Sequence, residues 1–258
     1  MTIDNAALLT GLTSLVGAAV YLFLGGRLAL RRVSVAARLP AAQFAVFWLG
    51  LAAVTLSGAI LSLVAVFELP SDALVVTALH FEILLLCVML WGLLGYLTYL
   101  YTGRNLLLFW SLFYGGLYLF LSYLITASRP TIVLVTEGSV GVQYATPFGG
   151  SLLFALLAIL IAPEFIGAIL YFTLAFRSRD PTVRFRVTLV SWSIILWFGL
   201  ATLNLPVRLG GGLAAELLGR SLGVAAALAI LLAYYPPRAV RERLGVTGIE
   251  PTPTAAPG

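Results

Sequence analysis

Five ionisable side chains of this chain lie inside apolar stretches: His80, Glu82, Glu164, Glu216 and Arg220. A charge is costly in such a stretch and has to face protein or water. Glu216 and Arg220 are spaced i, i+4, so on a helix they share a face and can pair. His80 and Glu82 are two apart, about 200° around a helix, so only one of them can point at a bundle axis. A buried carboxylate needs a cation. That favours Glu82 inward toward Arg220 and leaves His80 for a neighbouring helix or the interface. These charges can form an internal salt bridge that fixes helices, or a site for a ligand or ion. Tyr114 and Tyr118, also i, i+4, carry hydroxyls that need partners in an apolar zone. Glu164 follows Pro163, whose ring leaves the carbonyl of Ile159 without its normal donor. The break is either a static kink with a protonated, hydrogen-bonded Glu164 or the lining of a cavity.

What the chain lacks narrows the chemistry further. All 15 basic residues are Arg, so there is no lysine for a retinal Schiff base. Cys87 is the only cysteine and His80 the only histidine. An intramolecular disulfide, a thiolate cluster, a multi-histidine zinc site and a bis-histidine haem are therefore excluded. No nucleophile motif and no glycine-rich phosphate loop is present, and Gly210-Gly-Gly212 reads as a flexible turn. The reading is of a protein that is not an enzyme and holds no cofactor or metal.

The elements that must position these residues are apolar. The chain is 61% hydrophobic and 10% charged, with a mean hydropathy of +1.06, whereas a soluble domain carries about 25% charged residues. Lipid is the solvent such a composition requires. Seven apolar segments follow, at about 6–28, 43–67, 73–101, 106–126, 151–176, 187–205 and 213–235. Most reach the ~20 residues needed to cross a bilayer. Segments six and seven are the weakest, the sixth being short and the seventh carrying two charges. Of the 15 arginines, 12 fall in the last residues of segment one or after segments one, three, five and seven. By the positive-inside rule those loops are cytoplasmic and the N-terminus is outside. The same rule accounts for the net charge of +5 without nucleic acid. Segment one has no preceding basic region and no small-residue cleavage site after it, and reads as an anchor. With segments three and seven entering from outside, His80 and Glu82 lie about 10–14 Å deep at 1.5 Å per residue.

Between segments four and five, Thr131–Thr136 and Ser139–Tyr144 are β-prone runs around Glu137-Gly138, an expected external hairpin over 131–144. It either covers the helix ends or acts as a lid over a cavity that opens outward. Tyr96, Tyr99 and Tyr101 read as an interfacial belt, and Trp192 and Trp197 as core packing. The Pro-rich stretch 245–258 has too little apolar content to fold. No long internal repeat is present, which counts against an inverted-repeat transporter.

The run Trp91–Arg104, ending Tyr99-Leu-Tyr-Thr-Gly-Arg104, resembles the end of helix three in the N-terminal seven-helix sensor regions of bacterial histidine kinases. Phe47-Trp48, the hairpin-like loop, Gly149-Gly-Ser-Leu-Leu-Phe154 and the Arg-Ser-Arg-Asp loop agree with it. No kinase, PAS or cyclase domain follows Arg243, so the resemblance implies a free-standing, sensor-like module of a bacterial plasma membrane. It would signal through a cytoplasmic or membrane partner. No site residue is carried over from it.

The sequence therefore reads as an all-α, seven-helix membrane protein with three possible roles. One is a receptor-like bundle that binds a small lipophilic or amphiphilic ligand in its outer half, its arginines facing a partner or anionic lipid. The second is a transporter of a small solute or ion. The third is a structural or pigment-binding subunit of a membrane complex. A continuous water-filled path would mark the second, and a broad flank of small residues the third.

Overall fold

A computed structural model describes residues 5–30, 38–67, 71–128, 131–136, 139–143, 175–208 and 212–245, with 162, 166–167 and 169–173. Four helices come first: α1 (Asn5–Ala29), α2 (Arg38–Phe67), α3 (Asp72–Thr102) and α4 (Leu107–Ser128). Strands β1 (Thr131–Thr136) and β2 (Ser139–Gln143) follow, then α5 (Pro181–Arg208), α6 (Gly212–Tyr234) and the short α7 (Arg238–Leu244). Among the described residues, α1 to α4 and the Leu217–Tyr234 stretch of α6 are long and apolar enough to cross a bilayer. Leu108, Leu112 and Leu119 on α4 are about 70% exposed at 72%, 69% and 68%, a surface that only lipid or another protein can cover. The chain is a multi-pass helical membrane protein.

Lipid offers no hydrogen bonds, and several hydroxyls within the helices bond to their own backbone instead. Ser14, Thr55, Ser62, Thr98 and Ser191 each donate to the carbonyl four residues back, at 2.7–3.0 Å. The ends are capped by side chains. Ser71 Oγ accepts from Leu74 N–H at the start of α3, and Asp180 accepts from Thr182 N–H at 2.8 Å at the start of α5. Gly103 ends α3 at φ 67°, its N–H donating to Tyr99 O, a left-handed cap that suits glycine.

Helix order follows from which residues meet. Gly11 faces Leu63 and Gly25 faces Leu49, so α1 and α2 are antiparallel. Gly50 faces Met89 while Gly92 and Gly95 face Gln43, so α2 and α3 are antiparallel. Three side-chain hydrogen bonds join α3 to α4: His80 with Thr126, Trp91 with Ser111, and Trp110 with Thr98. Numbers rise on α3 as they fall on α4. Gly17 meets Val224 and Arg27 lies by Tyr235, so α1 and α6 run in the same direction. Small residues at the first two contacts let backbones approach, and polar side chains hold the third. The core runs along α2, where Phe47, Trp48 and Leu51 pack with Tyr21, Met89, Leu90 and Leu93. The strands pair antiparallel from Thr131–Gln143 to Thr136–Ser139, with a bulge at Val133, and pack on α2, α3 and α5.

Three boundaries correct the sequence reading. Helix α2 starts at Arg38 rather than near Gln43, because Pro40 suits a first turn and a helix does not stop where hydrocarbon does. Helix α5 starts at Pro181 rather than near Val187. The Asp180-Pro181 pair is a cap and first-turn signal, and it turns part of the expected basic loop into helix. The stretch after segment seven, read as loop, contains α7. Trp192 is half exposed against Phe172 rather than core, whereas Trp197 is buried. Most of segment five, with Glu164, and the 246–258 stretch lie outside the described residues.

Candidate functional site

Helix α3 carries two faces that can be read from its contacts. The residues bonded to α4, His80, Trp91 and Thr98, lie roughly 180–200° from Met89 at 100° per residue. Met89 faces Gly50 of α2. Glu82 is one heptad before Met89 and so about 20° from it, on the α2 side. Glu82 is half-buried. His80 thus reaches α4: its Nδ1–H donates to the Val76 carbonyl (2.8 Å) and its Nε2 lies 3.3 Å from Thr126 Oγ1.

Arg220 comes to the same height from another helix. Its guanidinium lies over Gly58 of α2, where a Cβ would be 3.7 and 3.9 Å from its two terminal nitrogens. Seven residues along α2 from Gly50 is Ser57, and seven back along α3 from Met89 is Glu82. The register therefore sets Glu82 beside Ser57 and one residue from the level of Arg220. The angles agree. On α2, Gln43 and Phe47 face α3 and Thr55 faces α1. Gly58 falls between these two strips, about 80° from Gly50, toward the bundle interior. Tyr21 of α1 is within electrostatic reach of Arg220. Glu216 lies on α6 one turn from Arg220, with its side chain outside the described residues.

The tyrosines divide differently. Tyr114 is buried on α4, its ring 6.1 Å from Trp110 and 5.2 Å from Phe113, and Tyr118 packs against the same core. Both belong to the α3–α4 contact rather than to the Arg220 level. Tyr96, expected in a belt, stacks on Phe44 at 4.5 Å and packs against the core cluster that includes the buried Tyr171. This ties the end of segment five into the bundle. Tyr101, beyond the apolar span of α3, has its phenol pushed up from the usual value by burial, which its bond to Thr173 opposes.

Gly58 and Tyr21, which shape the surroundings of Arg220, were not singled out in the sequence. The available signal is the run of small or hydroxyl residues at Ala7, Thr10, Gly11, Ser14, Gly17 and Ala18 on α1, all buried, a spacing that marks a close helix contact. Among the described residues no group of three His, Cys, Asp or Glu can hold a metal. The site can hold a charge or a polar headgroup in an apolar surround. No protein-family model matches the chain, and no curated protein is similar to it.

Proposed function

We propose that this chain is a receptor-like seven-helix membrane protein that binds a small lipophilic or amphiphilic ligand near Arg220 and Glu82 and signals through a partner. The observation that carries the reading is the common height of Glu82 and Arg220 along α2, with Arg220 turned to the interior. Two opposite charges held at one depth of a membrane bundle can orient the polar end of a ligand, while apolar helices take the rest. The hairpin, packed on α2, α3 and α5, would be its outward lid.

Seven passes are supported by direction. Helix α4 ends where the hairpin begins. Helix α5 runs toward the short link to α6, and α6 is parallel to α1. These directions fit the seven passes that the apolar segments imply. The arginine-rich end would face the cytoplasm of a bacterial cell. A cysteine at Arg179, which is exposed, tests this in a Cys87→Ala background. An impermeant thiol reagent added to intact cells is expected to leave it unlabelled until the membrane is opened. Labelling from outside would reverse the orientation. Thr182 is a poorer probe because it is buried.

The ligand is tested by native mass spectrometry with small-molecule extraction from protein purified in mild detergent. The wild type is expected to retain a stoichiometric lipophilic molecule that the Arg220→Met variant loses. An empty bundle that carries another protein would replace this reading with a subunit role. An empty, solitary bundle would replace it with transport.

A further inference from the structure

The end of the bundle where α1 and α6 finish carries ten described arginines and only two described acids, Asp180 and Glu242. Both acids are engaged. Asp180 caps α5 through the amides of Thr182 and Val183, and Glu242 pairs with Arg238 at 2.7 Å. So dense a positive surface needs counter-anions from outside the chain.

One arginine is fixed rather than merely exposed. The Arg27 guanidinium lies 5.5 Å from the centre of the Phe23 ring on its own helix and 5.7 Å from the Tyr235 ring beyond α6. Two rings hold its position by cation–π attraction. Among the described residues it makes no ion pair or hydrogen bond, so its fork of N–H donors remains available. That planar fork matches a phosphate group. Three residues after Tyr235 the chain enters α7, which adds Arg238 and Arg241, 60° apart at 100° per residue, with Leu244 beside Arg241 around the helix. Nε of Arg241 is shielded from solvent and has no hydrogen-bond partner among the described residues.

An apolar strip leads to this corner. Leu12, Val16 and Phe23 are about half exposed, at 49%, 58% and 53%, and with Arg27 they follow one side of α1 at spacings of four and seven. A phosphate alone would use only the cations, and an acidic peptide would leave the strip uncovered. A phospholipid matches both parts. We propose that the corner formed by Arg27, Tyr235 and the start of α7 binds an anionic phospholipid. Its phosphate sits at Arg27 and Arg241 and an acyl chain lies along Leu12, Val16 and Phe23. The proposal rests on the membrane-spanning character of the helices and is independent of the ligand near Arg220.

The test uses the full chain in nanodiscs of equal parts phosphatidylcholine and phosphatidylglycerol, with retained lipids counted by native mass spectrometry. About one phosphatidylglycerol per protein is expected to stay bound in preference to phosphatidylcholine. The double change Arg27→Gln with Arg241→Gln is expected to lower that retention on the order of tenfold. Arg177→Gln with Arg179→Gln removes the same charge from the same end and is expected to leave retention unchanged. Arg27→Lys, which keeps the charge and loses the fork, is expected to fall between. Millimolar inorganic phosphate is expected not to displace the lipid. Equal retention of the two lipids, or equal losses in the two double variants, overturns the site.

Discussion

Replacing Gly92 with alanine is expected to destabilise the bundle by about 2 kcal/mol, the cost of overpacking a tight contact. The same change at Gly115 or Gly116 is expected to be neutral or stabilising. A Cβ on Gly92 would lie 2.5 Å from the carbonyl oxygen of Gln43 and 3.1 Å from the amide nitrogen of Phe47. Both atoms belong to the backbone of α2, so no side chain can turn aside and the two helices must separate. Separation would loosen the contacts of Phe47 and Leu93, which are 1% and 0% exposed. Gly95 is the intermediate case. Its new methyl would meet the carboxamide of Gln43, a side chain that can in principle move but is itself buried. Gly115 and Gly116 on α4 have nothing within 4 Å of a Cβ, and there alanine gains roughly 0.5–1 kcal/mol of helix propensity. Unfolding in mild detergent, followed by tryptophan fluorescence, gives the order. Equal effects at Gly92 and Gly115 would show that α2 and α3 do not approach as closely as described.

That contact also shows where sequence reading runs out. The apolar stretches that became α1 to α4 and α6 stand out because a run of twenty apolar residues has few uses besides crossing a bilayer. The two-residue offset of His80 and Glu82 sends them to different sides of α3 on helix geometry alone. Which side meets which helix needed Met89, Trp91 and Thr98, whose partners fix the faces. Inside lipid the outward and inward faces of a helix are both apolar, so hydropathy does not mark the buried one. Glycines and hydroxyls carry that information instead, and Gly58, Gly92 and Thr10 are indistinct until neighbours are known. Helix ends fail for a related reason. Hydropathy reports where hydrocarbon stops, whereas Asp180 and Pro181 report where the backbone starts to coil.

Replacing Arg220 with methionine is expected to cost about 3 kcal/mol of stability, and Glu82→Leu a comparable amount, while the double change costs less than either alone. Removing one member of a buried ion pair leaves the other charge without compensation. Removing both exchanges a desolvated pair for apolar packing, which lipid-embedded helices tolerate well. The coupling in this cycle is expected to be about 1–3 kcal/mol. Additive losses would sink the pairing. A parallel cycle with Glu216→Leu identifies the alternative, since Glu216 lies one turn from Arg220 on α6 and such a spacing also permits a pair. The two outcomes differ in consequence. A pair within α6 leaves that helix free to move against α3. A pair between Glu82 and Arg220 joins α3 directly to α6, which otherwise packs chiefly on α5 and α1. Such a tie opens if an anionic ligand group takes the place of Glu82, and opening it would shift α6 relative to α3. Because α6 continues through Tyr235 into α7, that shift would arrive at the arginine-rich end, where a partner could read it.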